Sequence, residues 1–169
     1  MVDEKLITVL GIGNILLRDE GFGVHFVRWF SERYRCPDRV RIVDGGTLGY
    51  GLLDIICSSS HLFVIDVIKL DDQPGSVYRF TKREMETRMP PPTSAHEVSF
   101  PDVLFKAELL DESPETVFLC VVPRDFAEMG MEMTPEMKER FPVVESMLLR
   151  EFEALGVRLE RNPESMIDA

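Results

Sequence analysis

At 169 residues, 44% apolar and 29% charged, the chain has the make-up of one ordinary globular domain, not of a disordered or fibrous protein. Thirty acids against nineteen bases give a net charge of −11 with no compensating Lys/Arg cluster, which argues against a nucleic-acid partner. No apolar run is long enough to span a bilayer, the first residues lack the features of a signal peptide, and Cys36, Cys57 and Cys120 form no C-x-x-C pair; a reduced, cytoplasmic protein is expected.

Residues 7–10 are a β-branched apolar run suited to an interior parallel strand, and Gly11 and Gly13 then allow a sharp turn or close approach. Asp19 is placed to cap the following helix, leaving Glu20 in its first turn at the positive end of the helix dipole. Phe22, Phe26, Val27, Phe30 and Tyr34 recur at helical spacing. Residues 40–44 alternate as a second strand that runs into the turn Asp44-Gly45-Gly46-Thr47, and residues 48–57 predict a helix with a broad apolar face. Residues 61–68 are the most hydrophobic strand candidate, with Asp66 near the carboxyl end, where it must find a partner or the mouth of the sheet. Residues 76–81 follow after a short polar turn, too short for a crossover helix, so this fourth strand is expected to be antiparallel.

Residues 82–95 read as irregular, with three prolines at 90–92. Ser94 is a plausible cap that puts His96 just inside the next helix, whose core face would be Val98, Val103, Leu104, Ala107 and Leu110. Residues 116–122 form a fifth strand. Thr134-Pro135-Glu136 then starts a last helix that could bend near Pro142 and stops at Gly156. Residues 1–157 are therefore expected to form a single α/β domain, and residues 158–169 a charged, frayed tail.

Strands alternating with helices imply right-handed βαβ units and a three-layer α/β/α domain around a mostly parallel twisted sheet. Ligands of such sheets bind outside the carboxyl ends of the strands. Glu20, Asp44 and Asp66 all fall on that rim. Two carboxylates and an imidazole can hold a transition metal with positions left open, which makes Glu20, Asp66 and His96 the candidate set, although Glu20 taken alone is more commonly just a first-turn acid. His25 belongs to the amphipathic helix and His61 to the opposite rim. Asp44 could orient a ligand from behind or simply satisfy its own turn. No G-x-S-x-G is present and the cysteines at 57 and 120 lie in apolar segments, so a hydrolase built on this rim would use activated water. A nucleotide site on Gly11-Ile12-Gly13 is the competing reading, weakened by Leu16 where the fingerprint wants a third glycine.

The strings GIGNILLRDEGFG, DGGT (44–47), HLFVIDVI and SAHEVSFPDVL (94–104) resemble, in order and spacing, the successive motifs of the nickel–iron hydrogenase maturation endopeptidases, over almost the whole chain. The resemblance implies a five-stranded sheet in order 2-1-3-5-4 with strand 4 antiparallel. It implies cleavage of a C-terminal extension from the hydrogenase large-subunit precursor after nickel insertion. Glu20, Asp66 and His96 would then bind nickel supplied by the substrate instead of a permanent cofactor, with Asp44 a further functional residue. The protein is expected to act as a monomer; a nickel-sensing chaperone that does not cut is the alternative. Val98, Ser99 and Phe100, and the run Arg124-Asp125-Phe126, depart from the family pattern, which bears on which precursor is the substrate.

Overall fold

A computed structural model of the chain, describing residues 5–88 and 99–166, is built on a five-stranded sheet. The first strand, β1 (Leu6–Ile12), is flanked on one side by β3 (Val40–Gly46) and on the other by β4 (Ser59–Val67), both parallel to it. Beyond β4 comes β6 (Glu115–Val121), also parallel, and β5 (Val77–Thr81) closes the edge in the antiparallel sense. A two-residue ribbon pairs β2 (Tyr34–Arg35) with β7 (Glu160–Arg161). Numbered through the whole chain the sheet order is β3-β1-β4-β6-β5, which differs from the expected 2-1-3-5-4 only by the extra strand β2; without it the five sheet strands run 2-1-3-5-4.

Side chains alternate across each strand, and the alternation sorts the helices into two layers. Val9, Phe63, Ile65, Leu119 and Val121 face α1 (Phe22–Arg33), α5 (Pro135–Lys138) and α6 (Phe141–Ala154). Leu10, Leu62, Val64, Phe118 and Cys120 face α2 (Leu53–Cys57), α3 (Lys82–Arg88) and α4 (Phe100–Leu109). The first layer is aromatic: Phe22 and Phe26 meet the Phe141 ring edge-on at centroid distances of 5.3 and 5.6 Å. Each such buried side chain contributes about 1.5–3 kcal/mol of transfer free energy. Asp66 continues the Leu62, Val64 series, so it belongs to the α3/α4 face at the end where the strand leaves the core.

Several local expectations are corrected. The stretch read as irregular contains α3, whose mostly polar residues hide a helix that buries one side chain, Met85. Ser94, the proline run and Val98 lie outside the described residues. The cap of α4 is Ser99, whose N–H donates to the Asp102 carboxylate at 2.8 Å, and Pro101 is accommodated in the first turn, where its missing N–H costs nothing. Leu110, expected in the core, is exposed beyond the end of that helix. The segment 48–57 is a 3-10 turn (Gly49–Leu52) followed by α2. The last helix is two helices, broken at residues 139–140, with Pro142 in the first turn of α6. The tail is not frayed through Met166. Asn162 N–H donates to Arg33 O at 2.7 Å, and the Arg161 guanidinium reaches Glu145 and the face of Tyr34, which dock it on the end of α1.

Candidate functional site at the carboxyl rim

The loop that follows β1 is set by backbone contact. Gly13 has φ +147°, and a Cβ there would stand 1.9 Å from the Glu20 carbonyl oxygen. A Cβ on Gly11 would meet Gly23 O at 2.2 Å. The G-x-G pair thus lets the turn carrying Glu20, and the start of α1, close onto the strand end. The space a pyrophosphate would use in a dinucleotide fold is filled by this chain's own backbone, which removes the basis of the nucleotide reading.

Asp19 does not cap a helix, contrary to the sequence expectation. A 3-10 turn (Arg18–Gly21) precedes α1, and Asp19 is fully buried beneath it. Its carboxylate accepts the N–H groups of Arg124, Asp125 and Thr134 at 3.0, 2.9 and 2.8 Å, and the Thr134 hydroxyl at 3.0–3.1 Å. In return Asp19 N–H donates to Asp125 O and Arg18 N–H to Gly130 O. Arg18 is held at φ +50°, a conformation that L-residues adopt only under constraint, by these bonds and by ion pairs with Asp125 and Glu128 at 3.0 and 3.1 Å. These bonds tie the loop 124–134 to the Glu20 turn.

Glu20 and Asp66 line the same cavity, of about 540 Å³, outside the ends of β1, β3 and β4. Asp66 stands level with Cys120 on β6 and, among the described residues, accepts one hydrogen bond, from Val67 N–H at 2.8 Å. Burial pushes its carboxyl up to about 7; the Val67 bond opposes the rise and the Glu20 charge adds to it. Glu20 is met by the Lys69 ammonium at 3.4 Å, which also lies over the Phe126 ring. Burial, with the Asp66 charge adding, raises the Cys120 thiol well above the usual range, so it stays protonated and is no nucleophile.

The other candidates are placed as follows. Asp44 ends on the rim but turns to a separate shallow groove, where Arg28 grips it at 2.7 Å. His96 lies outside the described residues. His61 is at the amino end of β4, 3.5 Å from Glu115. His25, on α1, has its pKa lowered chiefly by burial, and its Nε2 finds no partner among the described residues. Among those residues no three His, Cys, Asp or Glu side chains converge as a metal site. The two carboxylates that do share a cavity supply oxygen donors of the kind a divalent cation takes, and their mutual repulsion is the strain such a cation relieves. Asn14, Lys69 and Arg88, which also line the cavity, are not candidates of the sequence reading; only Asn14, fixed in the string G-I-G-N, carried a signal there.

The family model described as hydrogenase maturation protease matches residues 24–151. The chain is 32% identical to the hydrogenase expression/formation protein HupD of Bradyrhizobium diazoefficiens, covering 98% of this chain and 88% of that one. It is 34% identical to the hydrogenase 2 maturation protease of Escherichia coli, covering 84% and 88%. The solved structure of the hydrogenase maturating endopeptidase HybD from E. coli superposes with a TM-score of 0.86 at 30% identity, covering 94% of this chain and 99% of that one.

Proposed function

This chain belongs to the hydrogenase maturation protease family and is a peptide hydrolase, and from that premise we propose that it removes a C-terminal extension from the precursor of a nickel–iron hydrogenase large subunit once nickel has been inserted. The observation that carries this reading is the pairing of Glu20 and Asp66 across one cavity, with Asp66 held up to about 7 by burial and by its neighbour's charge. Such a pair is poorly matched to an empty cavity and well matched to an incoming cation. Nickel enters as part of the substrate. Glu20, Asp66 and His96 recognise it there, and a precursor without nickel offers the two carboxylates nothing to bind.

In this reading the chain's own groups divide the work. Asp66 carries its proton or releases it near neutral pH, so it can exchange a proton for a metal contact at little cost. Glu20 is preset by the Gly13 contact and by Lys69. Water is the nucleophile: its oxygen adds to the scissile carbonyl carbon as it gives up a proton, and that proton passes to the departing amine as the C–N bond breaks. Asp44, anchored by Arg28, shapes the neighbouring groove. The protein acts as a monomer in the cytoplasm. No helix among the described residues is long and apolar enough to cross a membrane.

The test is intact-mass analysis of the cognate large-subunit precursor, nickel-loaded and nickel-free, after incubation with the purified protein. Loss of a C-terminal peptide from the loaded form alone is expected. Equal cleavage of both forms refutes metal recognition, and metal-dependent binding without cleavage assigns a chaperone role instead.

A further inference from the structure

Two hollows meet at the carboxyl rim. The cavity of Glu20 and Asp66 and the groove of about 310 Å³ holding Arg28 and Asp44 share four lining residues, Gly13, Asn14, Gly46 and Thr47. These four make a saddle between the hollows, its halves tied by Gly13 N–H donating to Gly46 O at 3.1 Å. An extended peptide crossing the saddle places one flank in each hollow and a peptide bond over Asn14.

The orientation of the Asn14 amide is fixed by chemistry. Its side chain meets the backbone N–H of Leu16 at 3.0 Å, and since an N–H only donates, the atom facing it is the amide oxygen. The NH₂ group therefore points the other way, and among the described residues it donates to no acceptor. Among the described residues, three other side chains that line the larger cavity are drawn to neighbours, while the Thr47 hydroxyl lies beside Asn14 at the saddle. The Lys69 ammonium is on Glu20 and Phe126, the Arg88 guanidinium lies over the Phe80 ring, and the Ser99 hydroxyl is on Asp102. The side-chain NH₂ of Asn14 is a preset, neutral donor at the junction. Being neutral, it can stand beside two carboxylates without forming an ion pair with either.

Hydrolysis of a peptide bond needs such a donor. As water adds to the carbonyl carbon, the carbonyl oxygen takes the negative charge, and it returns the charge when the C–N bond breaks. On a rim lined by Glu20 and Asp66 that charge is disfavoured unless a donor meets it. We propose that Asn14 is a catalytic residue of this protease, its side-chain NH₂ donating to the carbonyl oxygen of the bond that is cut. The proposal rests on the protease reading above.

The test compares wild type, Asn14→Asp and Asn14→Ser on a nickel-loaded precursor, measuring kcat, KM and melting temperature. Both variants keep an oxygen to accept the Leu16 N–H, so the turn is retained while the amide donor is lost. The expected result is a fall in kcat of about 10²–10³-fold for both, with KM within about threefold of wild type and melting temperature unchanged. A variant that keeps kcat within about threefold overturns the proposal, as does a loss that falls wholly in KM. Should the aspartate variant fail to fold, the serine variant decides by the same criterion. A wild-type protein that leaves the nickel-loaded precursor uncut overturns the protease reading itself, and the role of Asn14 with it.

Discussion

The loop unit around Asp19 and the strand end around Asp66 each draw an aspartate into the protein at the same rim, and they treat it in opposite ways. Asp19 is surrounded by donors, three backbone N–H groups and a hydroxyl, so its charge is fully answered by the fold. Among the described residues Asp66 receives a single N–H and shares its cavity with another carboxylate, so within that set its charge is left largely unanswered. Buried polar groups are satisfied wherever a protein needs only stability. A carboxylate satisfied four times over holds structure; one satisfied once, in a cavity, is kept for something that arrives later.

The sharpest way to break this comparison is to neutralise the unanswered charge. Asp66→Asn is isosteric and removes one oxygen ligand of the pair, and precursor processing followed by mass spectrometry is expected to fall by at least about 10³-fold with the fold intact. A variant that still processes at near wild-type rate would show Asp66 to be merely a costly core residue. The answered charge should behave in reverse. Asp19→Ala strands the donors of Arg124, Asp125 and Thr134, and urea denaturation is expected to show a loss of about 3 kcal/mol. A cost below about 1 kcal/mol would mean that the loop 124–134 is held by something else.

The third test uses pH. The folded protein holds the Asp66 proton up to about 7 against an ordinary value of 3.8, so between those values the folded state binds more protons than the unfolded one. The stability carried by neutral Asp66 is complete below about pH 4 and is lost as pH rises through 7. Asp66→Asn escapes that loss. In metal-free buffer at pH 8 it is expected to exceed wild type by about 2 kcal/mol, a figure that allows for solvent reaching the cavity, with the advantage vanishing toward pH 4. A constant difference across that range would place the raised proton affinity elsewhere.

Much of this was legible in the chain. The sheet strands and α1 follow from hydrophobic period, because their side chains face layers that a local pattern encodes. The convergence of Glu20 and Asp66 follows from the rule that parallel strands present their carboxyl ends on one rim. Asp19 was misread because an acid ahead of a helix looks like a cap, and its true partners lie 105–115 residues away, where no local pattern records them. The helix α3 was missed because it buries one residue and so has no stripe. The start of α4 was misplaced at Ser94, although Ser99, Pro101 and Asp102 spell a capping signature that reads without the structure. The paired β2 and β7 are too short to show any period.

The Asp19 unit also has a consequence in time. Its partners arrive only when Thr134 has been synthesised, so a growing chain completes β1, α1, β3 and β4 long before the turn bearing Glu20 acquires its support. Until Thr134 has been added, the Glu20 turn lacks the bonds that hold it, so an unfinished copy on the ribosome is a scaffold and not yet a protease.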